Sequence, residues 1–507
     1  MTTLSYDVLL QIVAFSGTEE LFNVALANRE INAIASKYLY EKVQLHPPVL
    51  PLAPNSLDNH EGQPSGLSAF ISARMPKHAP LVKNLEISGP FRDNWFELKI
   101  ALQEALKAFT SLQSVSIRPS TSSFDFSETL VILRNCSSLC TLDVNSSCFD
   151  DELNAAMAIS PADHPSALSS IAEGEEEEND EAEQHVPPPL SKAELLAHIS
   201  GLTVLTLRDP SRKILQLLIP YWLNTLSGTL TELHLQGNCG SVTPGVLRSA
   251  IPQLRGIRSL TIGLSYSLTD RDLFSAFSQL PQLHTLQVNY YQQNTSPPFF
   301  PIIRSLKSLT AIDHSPVESL SLVDDTDFYY EASAPSFDGL VNHLVSVHAE
   351  RLTSLNLHWC FVGTRAFERL CTSCSKLEKL SVGGRRSNLV FGPLRFCGTR
   401  YADSCLQQTF IDAASKHTLP LLHTASFSIL NNRRSREEFN DELTSKIMKS
   451  KPLLRRVALN NKRWEVRIRT DTSINQLSTN VVRGKGSWRS SVDGSVTFGI
   501  KPSSSSW

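Results

Sequence analysis

The chain has 507 residues, 41% of them hydrophobic, and its 47 Lys plus Arg nearly balance 50 Asp plus Glu, for a net charge of −3. That length suggests about three domains unless an internal repeat accounts for it, and the charge balance removes the electrostatic case for nucleic acid or an anionic membrane as a partner. No window reaches the roughly eighteen consecutive apolar residues of a membrane-spanning helix. Asp7 interrupts the first apolar stretch with no Lys or Arg ahead of it, unlike a signal peptide, so the chain is expected in the cytoplasm and/or nucleus. Nine cysteines, an odd count scattered from Cys136 to Cys405, suit reduced thiols packed as small apolar groups better than a disulfide framework.

In chain order, residues 1–45 predict three short helices. "LSYDVLLQIVAF" places Val8, Leu9, Ile12 and Val13 along one side, "TEELFNVAL" follows, and "REINAIASKYLY" repeats Ile31, Ile34, Ala35, Tyr38 and Leu39 at helical spacing. Three helices this short are near the lower size limit for a self-sufficient core, so the surplus apolar surface calls for a partner. Residues 46–80 read as a Pro-rich linker, with five prolines in 46–66, followed by one capping helix in "LSAFISARMPKHAPLV".

From residue 81 one pattern recurs, an apolar residue, two of any kind, an apolar residue, one of any kind, an apolar residue. It starts at 82 (VKNLEI), 112 (LQSVSI), 139 (LCTLDV), 202 (LTVLTL), 230 (LTELHL), 257 (IRSLTI), 283 (LHTLQV), 317 (VESLSL), 352 (LTSLNL), 377 (LEKLSV), 422 (LHTASF) and 454 (LRRVAL). Most intervals suit one strand plus a return helix, and the repeats span 81–470. The long interval after 139 holds an insertion at about 161–190. Eight acidic side chains from Glu173 to Glu183 and then three prolines cannot bury a core there, so a disordered loop is expected. Residues 471–507 form a C-terminal extension with a Ser-rich tail.

The triplets resemble leucine-rich repeats. "LTSLNLHWCFVGTRAFERLCTSCSKLEKLSV" (352–382) is similar to the cysteine-containing subclass, with Cys360, a helix carrying Phe367, Leu370 and Cys371, and then Cys374. The resemblance implies an α/β fold in which parallel strands line a curved solenoid with helices outside. The opening residues resemble the F-box family. Leu4, Asp7, Val8, Leu9, Ile12 and Val13 match its opening, Leu21 fits the position after the usual turn, and "SKYLYEKVQL" looks like the passage of fungal F-box proteins into their repeats. Ser5, Ser16 and Ala27 depart from the family pattern. This resemblance implies a Skp-type adaptor and a cullin as partners, with those seven residues at the adaptor contact. The other reading of the same helices is a cap over the end of the repeat stack.

Enzyme chemistry has little support. "CTSC" (371–374) has metal-like spacing, but no second pair follows and both residues fall where a repeat helix expects small apolar groups. "VGGRRSN" (382–388) reads as a turn with two surface arginines. Walker, GxGxxG, GxSxG and HExxH motifs are missing, so a non-catalytic receptor without cofactor or metal is expected. An unknown protein substrate would meet the concave positions beside the triplets. These are Glu232, His234, Gln236, Gln287, Asn289, Tyr290, Asp324, Asp325, Asn356, His358, Trp359, Lys379 and Arg385, with Tyr290 and Trp359 as aromatic anchors. The F-box resemblance thus implies the substrate-recognition subunit of an SCF-type, cullin-based ubiquitin ligase, and a leucine-rich scaffold with no role in ubiquitin transfer is the alternative function.

Overall fold

A computed structural model describes residues 6–16, 18–27, 29–46, 67–89, 91, 96–120, 126–145, 149, 191–265, 267–290, 308–313, 337–385, 419–430, 448, 451, 453–459, 462–470 and 477–485. The chain divides into two compact units, Met1–Leu230 and Thr231–Trp507. Each contains leucine-rich repeats, with strands in sequence order.

The first unit opens with α1 (Tyr6–Phe15), α2 (Thr18–Ala25) and α3 (Arg29–Glu41). These three helices do have a core of their own. Val13, Leu21, Ala25, Ile34 and Ala35 are buried together, and Leu9, Val24, Ile31, Tyr38 and Leu39 pack against them. Asn32 Nδ2 donates to the Ala25 carbonyl at 2.9 Å, tying α3 to the end of α2.

Helix α3 runs without a break into β1 (Lys42–Leu45), which pairs in parallel with β2 (Asn84–Gly89). The sheet therefore starts at Lys42, ahead of the first triplet. The Pro-rich segment, residues 47–66 of which lie outside the described residues, follows the first strand instead of separating the helices from the sheet. Then come α4 (Leu67–Ala73), α5 (Phe96–Ala108), β3 (Ser114–Pro119), α6 (Ser127–Arg134), β4 (Thr141–Asn145) and β5 (Val204–Arg208). All four strand pairs in this unit are parallel.

Period-two alternation sets the two faces of this sheet. Val43, Leu85, Val115, Leu142 and Leu205 form one lateral row, and Leu45, Ile87, Ile117, Val144 and Leu207 the next; all ten are buried. Opposite them on the helical side lie Phe70, Leu102, Leu106, Leu130 and Leu133, also buried. A backbone device recurs at the entries to β3, β4 and β5. The second residue of a triplet lends its carbonyl to two successive N–H groups of the next repeat, as Lys83 does to Gln113 and Ser114, Gln113 to Cys140 and Thr141, and Cys140 to Thr203 and Val204.

The chain becomes described again after the insertion at Ser191. Ser191 and Glu194 form a reciprocal capping box that starts the helix Lys192–Ala197. Residues 172–189, expected as an irregular acidic loop, lie outside the described residues. Farther on, Pro220 falls in a π-type turn, Leu218–Trp222, where a missing backbone donor is tolerated. That turn swings Trp222 inward so that its Nε1 donates to the Ile199 carbonyl at 2.8 Å.

The second unit holds β6 (Glu232–Asn238), β7 (Ser259–Ser265), β8 (Thr285–Tyr290), β9 (Ser308–Asp313), β10 (Ser354–Phe361), β11 (Lys379–Arg385), β12 (Thr424–Leu430) and β13 (Arg456–Leu459), all parallel. Eleven of the twelve triplets fall on strands. The twelfth, 317–322, lies outside the described residues, and the strand between β8 and β10 is "SLTAID" at 308–313. Its third apolar position is Ala311, small enough to hide the pattern.

Three further corrections concern this unit. Gly383, Gly384 and Arg385 are not a turn; they extend β11 and pair with Ser428, Ile429 and Leu430 of β12. β14 (Lys462–Thr470), expected within the parallel repeats, is antiparallel to β13. Only residues 460 and 461 connect the two, far short of the dozen or so that a parallel crossover needs. The C-terminal extension, read only as a tail, contributes β15 (Leu477–Lys485), antiparallel to β14.

Candidate functional site

The N-terminal helices present two apolar stripes, and only one is used internally. Val13 (1% exposed) and Leu21 (7%), expected at an adaptor contact, are instead buried in the three-helix core, with Leu9 packed against them. A residue that closes the module's own core is not available to a partner. The outward side carries Phe15 at 88% exposure, Leu26 at 71% and Phe22 at 61%, with Tyr6 and Val8 also exposed. Asp7 is exposed, while Leu4 and the Ile12 side chain lie outside what the structure describes. Phe15, Phe22, Leu26 and Tyr6 were missed by the sequence reading, which counted one stripe per helix. Aromatic side chains this open, grouped on one small module, are the usual mark of a docking surface.

This module is fixed to the sheet. Besides the direct passage of α3 into β1, Tyr40 donates or accepts a 2.8 Å hydrogen bond with Ser72 Oγ, and Lys83 Nζ bonds Glu41 Oε1 at 3.0 Å.

On the first unit's sheet, the face opposite the buried rows is polar. Register aligns Gln44, Glu86, Ser116, Asp143 and Thr206 across β1 to β5, and one step on it aligns Ser88 with Arg118 and Asn145 with Arg208. The charges interlock. Arg208 forks onto Asp143, Nε to Oδ1 at 2.9 Å and Nη2 to Oδ2 at 3.0 Å. Arg118 reaches both neighbouring strands, Nη2 to Glu86 Oε1 at 2.9 Å and Nε to Asp143 Oδ2 at 3.5 Å, and donates to Ser116 Oγ at 2.7 Å. Lys42 and Gln44 both bond Glu86 Oε2, at 3.0 and 2.8 Å. Burial alone would raise the Glu86 carboxyl, but the hydrogen bonds from Lys42 and Gln44 and the charges of Lys42 and Arg118 together hold it below the usual carboxylate range.

In the second unit the register defines a corresponding row of polar positions. His234, Thr261, Gln287, Thr310, Asn356, Ser381 and Ser426 share one lateral row. His234 is half-buried, with Nδ1 2.8 Å from Thr261 Oγ1 and Nε2 3.2 Å from Glu232 Oε2. That hydrogen bond holds the Glu232 carboxyl below its ordinary value. Gln236, expected on the open face, is buried. Asn289 and Tyr290 lie at the end of β8, His358 and Trp359 in β10, and Arg385 at the end of β11, while Asp324 and Asp325 fall outside the described residues.

Cys371 and Cys374 are fully buried. Burial raises the Cys371 thiol and pushes Cys374 up to about 11, as expected of packed thiols. Among the described residues, no helix is long and apolar enough to cross a membrane.

No family model matches the sequence, and no curated protein matches it. Among solved structures the chain is similar to one in the yeast Rad7–Elc1 complex, with a TM-score of 0.43 and 13% identity over 86% of this chain and 90% of the other. It is also similar to the TLR13–ssRNA13 complex, with a TM-score of 0.31 and 13% identity over 75% of this chain and 50% of the other.

Proposed function

We propose that this chain is the substrate-recognition subunit of an SCF-type, cullin-based ubiquitin ligase, acting in the cytoplasm and/or nucleus. Its N-terminal helices dock on a Skp-type adaptor, and the open face of its repeats holds a protein substrate. The observation that carries this reading is the exposure of Phe15, Phe22 and Leu26 on a module whose core is already complete. The F-box resemblance of residues 1–45 supplies the identity of the partner. Because α3 continues into β1, the helices and the first unit's open face belong to one connected sheet system.

In this reading the chain contributes no catalytic residue. It raises the effective concentration of a substrate beside an enzyme carried by other subunits. Co-expression with a Skp-type adaptor and a cullin, followed by size-exclusion chromatography, tests it. Co-elution is expected. A chain that binds proteins through its repeats but never co-elutes with adaptor or cullin is a scaffold without a role in ubiquitin transfer.

A further inference from the structure

Net charge is an average, and in this chain it hides a segregation. Strands β13, β14 and β15 carry seven Lys or Arg and one acid, Glu465, while the whole chain stands at −3 and eight acids crowd into Glu173–Glu183. The net figure that argues against nucleic acid as a partner therefore says nothing of this end of the sheet. Register sorts these residues between two faces. Trp464 pairs with Val457, and both are buried, so theirs is the core side. Alternation places Arg456 of β13 on the opposite face with Arg463, Glu465, Arg467 and Arg469 of β14. Lateral register runs from Ser381 and Ser426 through Ala458 to Arg463, so this face continues the polar row of the second unit. Arg456 Nε bonds Glu465 Oε1 at 3.0 Å, and the two side chains keep 44% and 30% of their surface in solvent. Four arginines against that one acid leave an excess of three positive charges on the face. Arg463 to Arg469 covers about 20 Å of strand. Across the β14–β15 register the same face holds Gly484, Val482, Asn480 and Ser478, none of them acidic.

We propose that this face of β13 to β15 binds the phosphate backbone of a nucleic acid duplex without reading its sequence. A polyanion is the complement of an arginine-rich strip, and the fork of a guanidinium suits phosphate oxygens. A protein partner needs large anchors at the centre of its contact, and the one aromatic among the described residues of these three strands, Trp464, lies on the core side. For the same reason the face offers no ring on which the bases of a single strand could stack. A duplex needs neither, because its phosphates lie outside and its bases stay paired. Contacts from arginine and from small polar residues such as Asn480 and Ser478 go to phosphate and sugar, which position a duplex but carry no sequence information. The proposal rests on charge and register alone and is independent of the adaptor contact.

The test uses the full-length chain and a fluorescein-labelled DNA duplex of mixed sequence, read by fluorescence anisotropy at a series of salt concentrations. With about three phosphates neutralised, the logarithm of the binding constant should fall against the logarithm of salt concentration with a slope of about −3. The double variant Arg467→Gln, Arg469→Gln should reduce that slope by about two and weaken binding by roughly tenfold or more. Glu465→Gln removes the one acid of the face and should tighten binding severalfold, a gain that a folding defect does not produce. An unlabelled duplex of different sequence should compete as well as the first. Failure of the wild type to bind the duplex, an unchanged slope in the double variant, or no gain from Glu465→Gln overturns the proposal. Equal competition by polyglutamate of the same total charge overturns it in favour of an acidic protein as the partner of this face.

Discussion

The phenol ring of Tyr40 lies flat on the imidazole of His78, with centroids 3.9 Å apart and planes 15° from parallel. Tyr40 is near the end of α3 and His78 stands just before the turn Ala79–Leu81 that leads to β2, so the stack closes the chain across the whole Pro-rich segment. His78 Nδ1 also meets the Ser72 carbonyl at 3.0 Å, and the Tyr40 hydroxyl meets the Ser72 hydroxyl. Three residues thus clamp the helical module to the first two strands. If the helices dock an adaptor as proposed, a module held this way delivers it at a fixed position relative to the sheet.

Tyr40→Ala should therefore loosen the join. The lost stack, hydrogen bond and packing at a half-buried site should cost about 2 kcal/mol. Hydrogen exchange should speed up in Arg29–Leu45 and remain unchanged in β3 and β4. Uniform acceleration across the first unit would mean that the stack supports the whole sheet instead of the join.

At Gly263 in β7 a side chain has no room. A Cβ there would stand 2.5 Å from the Gly237 carbonyl oxygen and 2.9 Å from Cys239 Sγ, both of the preceding repeat. Gly263→Ala should destabilise the second unit by about 2–4 kcal/mol, read as a lower denaturant midpoint with no change in slope. A variant as stable as the wild type would show that the two repeats can separate here without cost.

His348, at the end of the helix Asp338–His348, is 1% exposed, and among the described residues its Nδ1 has no hydrogen-bond partner. Burial, helped by the nearby His343 and Arg351, lowers its pKa to about 4. The folded state thus binds the proton less readily than the unfolded state, whose His titrates near 6.5. Stability contributed by the neutral form is full above pH 6.5 or so and is lost as pH falls from there toward about 4. The full shift corresponds to about 3 kcal/mol as an upper figure. Denaturation of the wild type at successive pH values should show this fall, and His348→Phe should flatten it. An unchanged pH profile in the variant would place the sensitivity elsewhere.

The strands were legible because each repeat buries the same short alternation, and that alternation is local. What escaped depends on longer geometry or on weaker patterns. β1 has only Val43 and Leu45 to announce it between a helix and a Pro-rich stretch, and β9 carries Ala311 where a larger apolar residue was sought. The reversal at β14 follows from a two-residue connection, which the triplet pattern does not encode. The single stripe expected at an adaptor contact is split between core and solvent for a physical reason. Helix α1 is apolar on two sides, and spacing alone does not tell that Leu9 and Val13 face α3 while Val8 and Phe15 face solvent. The charged face was invisible because Arg208 and Asp143, 65 residues apart, meet only through lateral register across the insertion.

The most direct test of the adaptor contact is titration of a purified Skp-type adaptor into the wild type and the double variant Phe15→Asp, Phe22→Asp, by isothermal calorimetry. Both side chains are already largely in water, so the variant should keep the fold and the circular dichroism of the wild type. The wild type should bind, and the variant should lose at least about a hundredfold in affinity, because unpaired carboxylates buried at an apolar contact cost several kcal/mol. Equal affinity of the two proteins, or no heat with either, would contradict docking through the exposed face of α1 and α2.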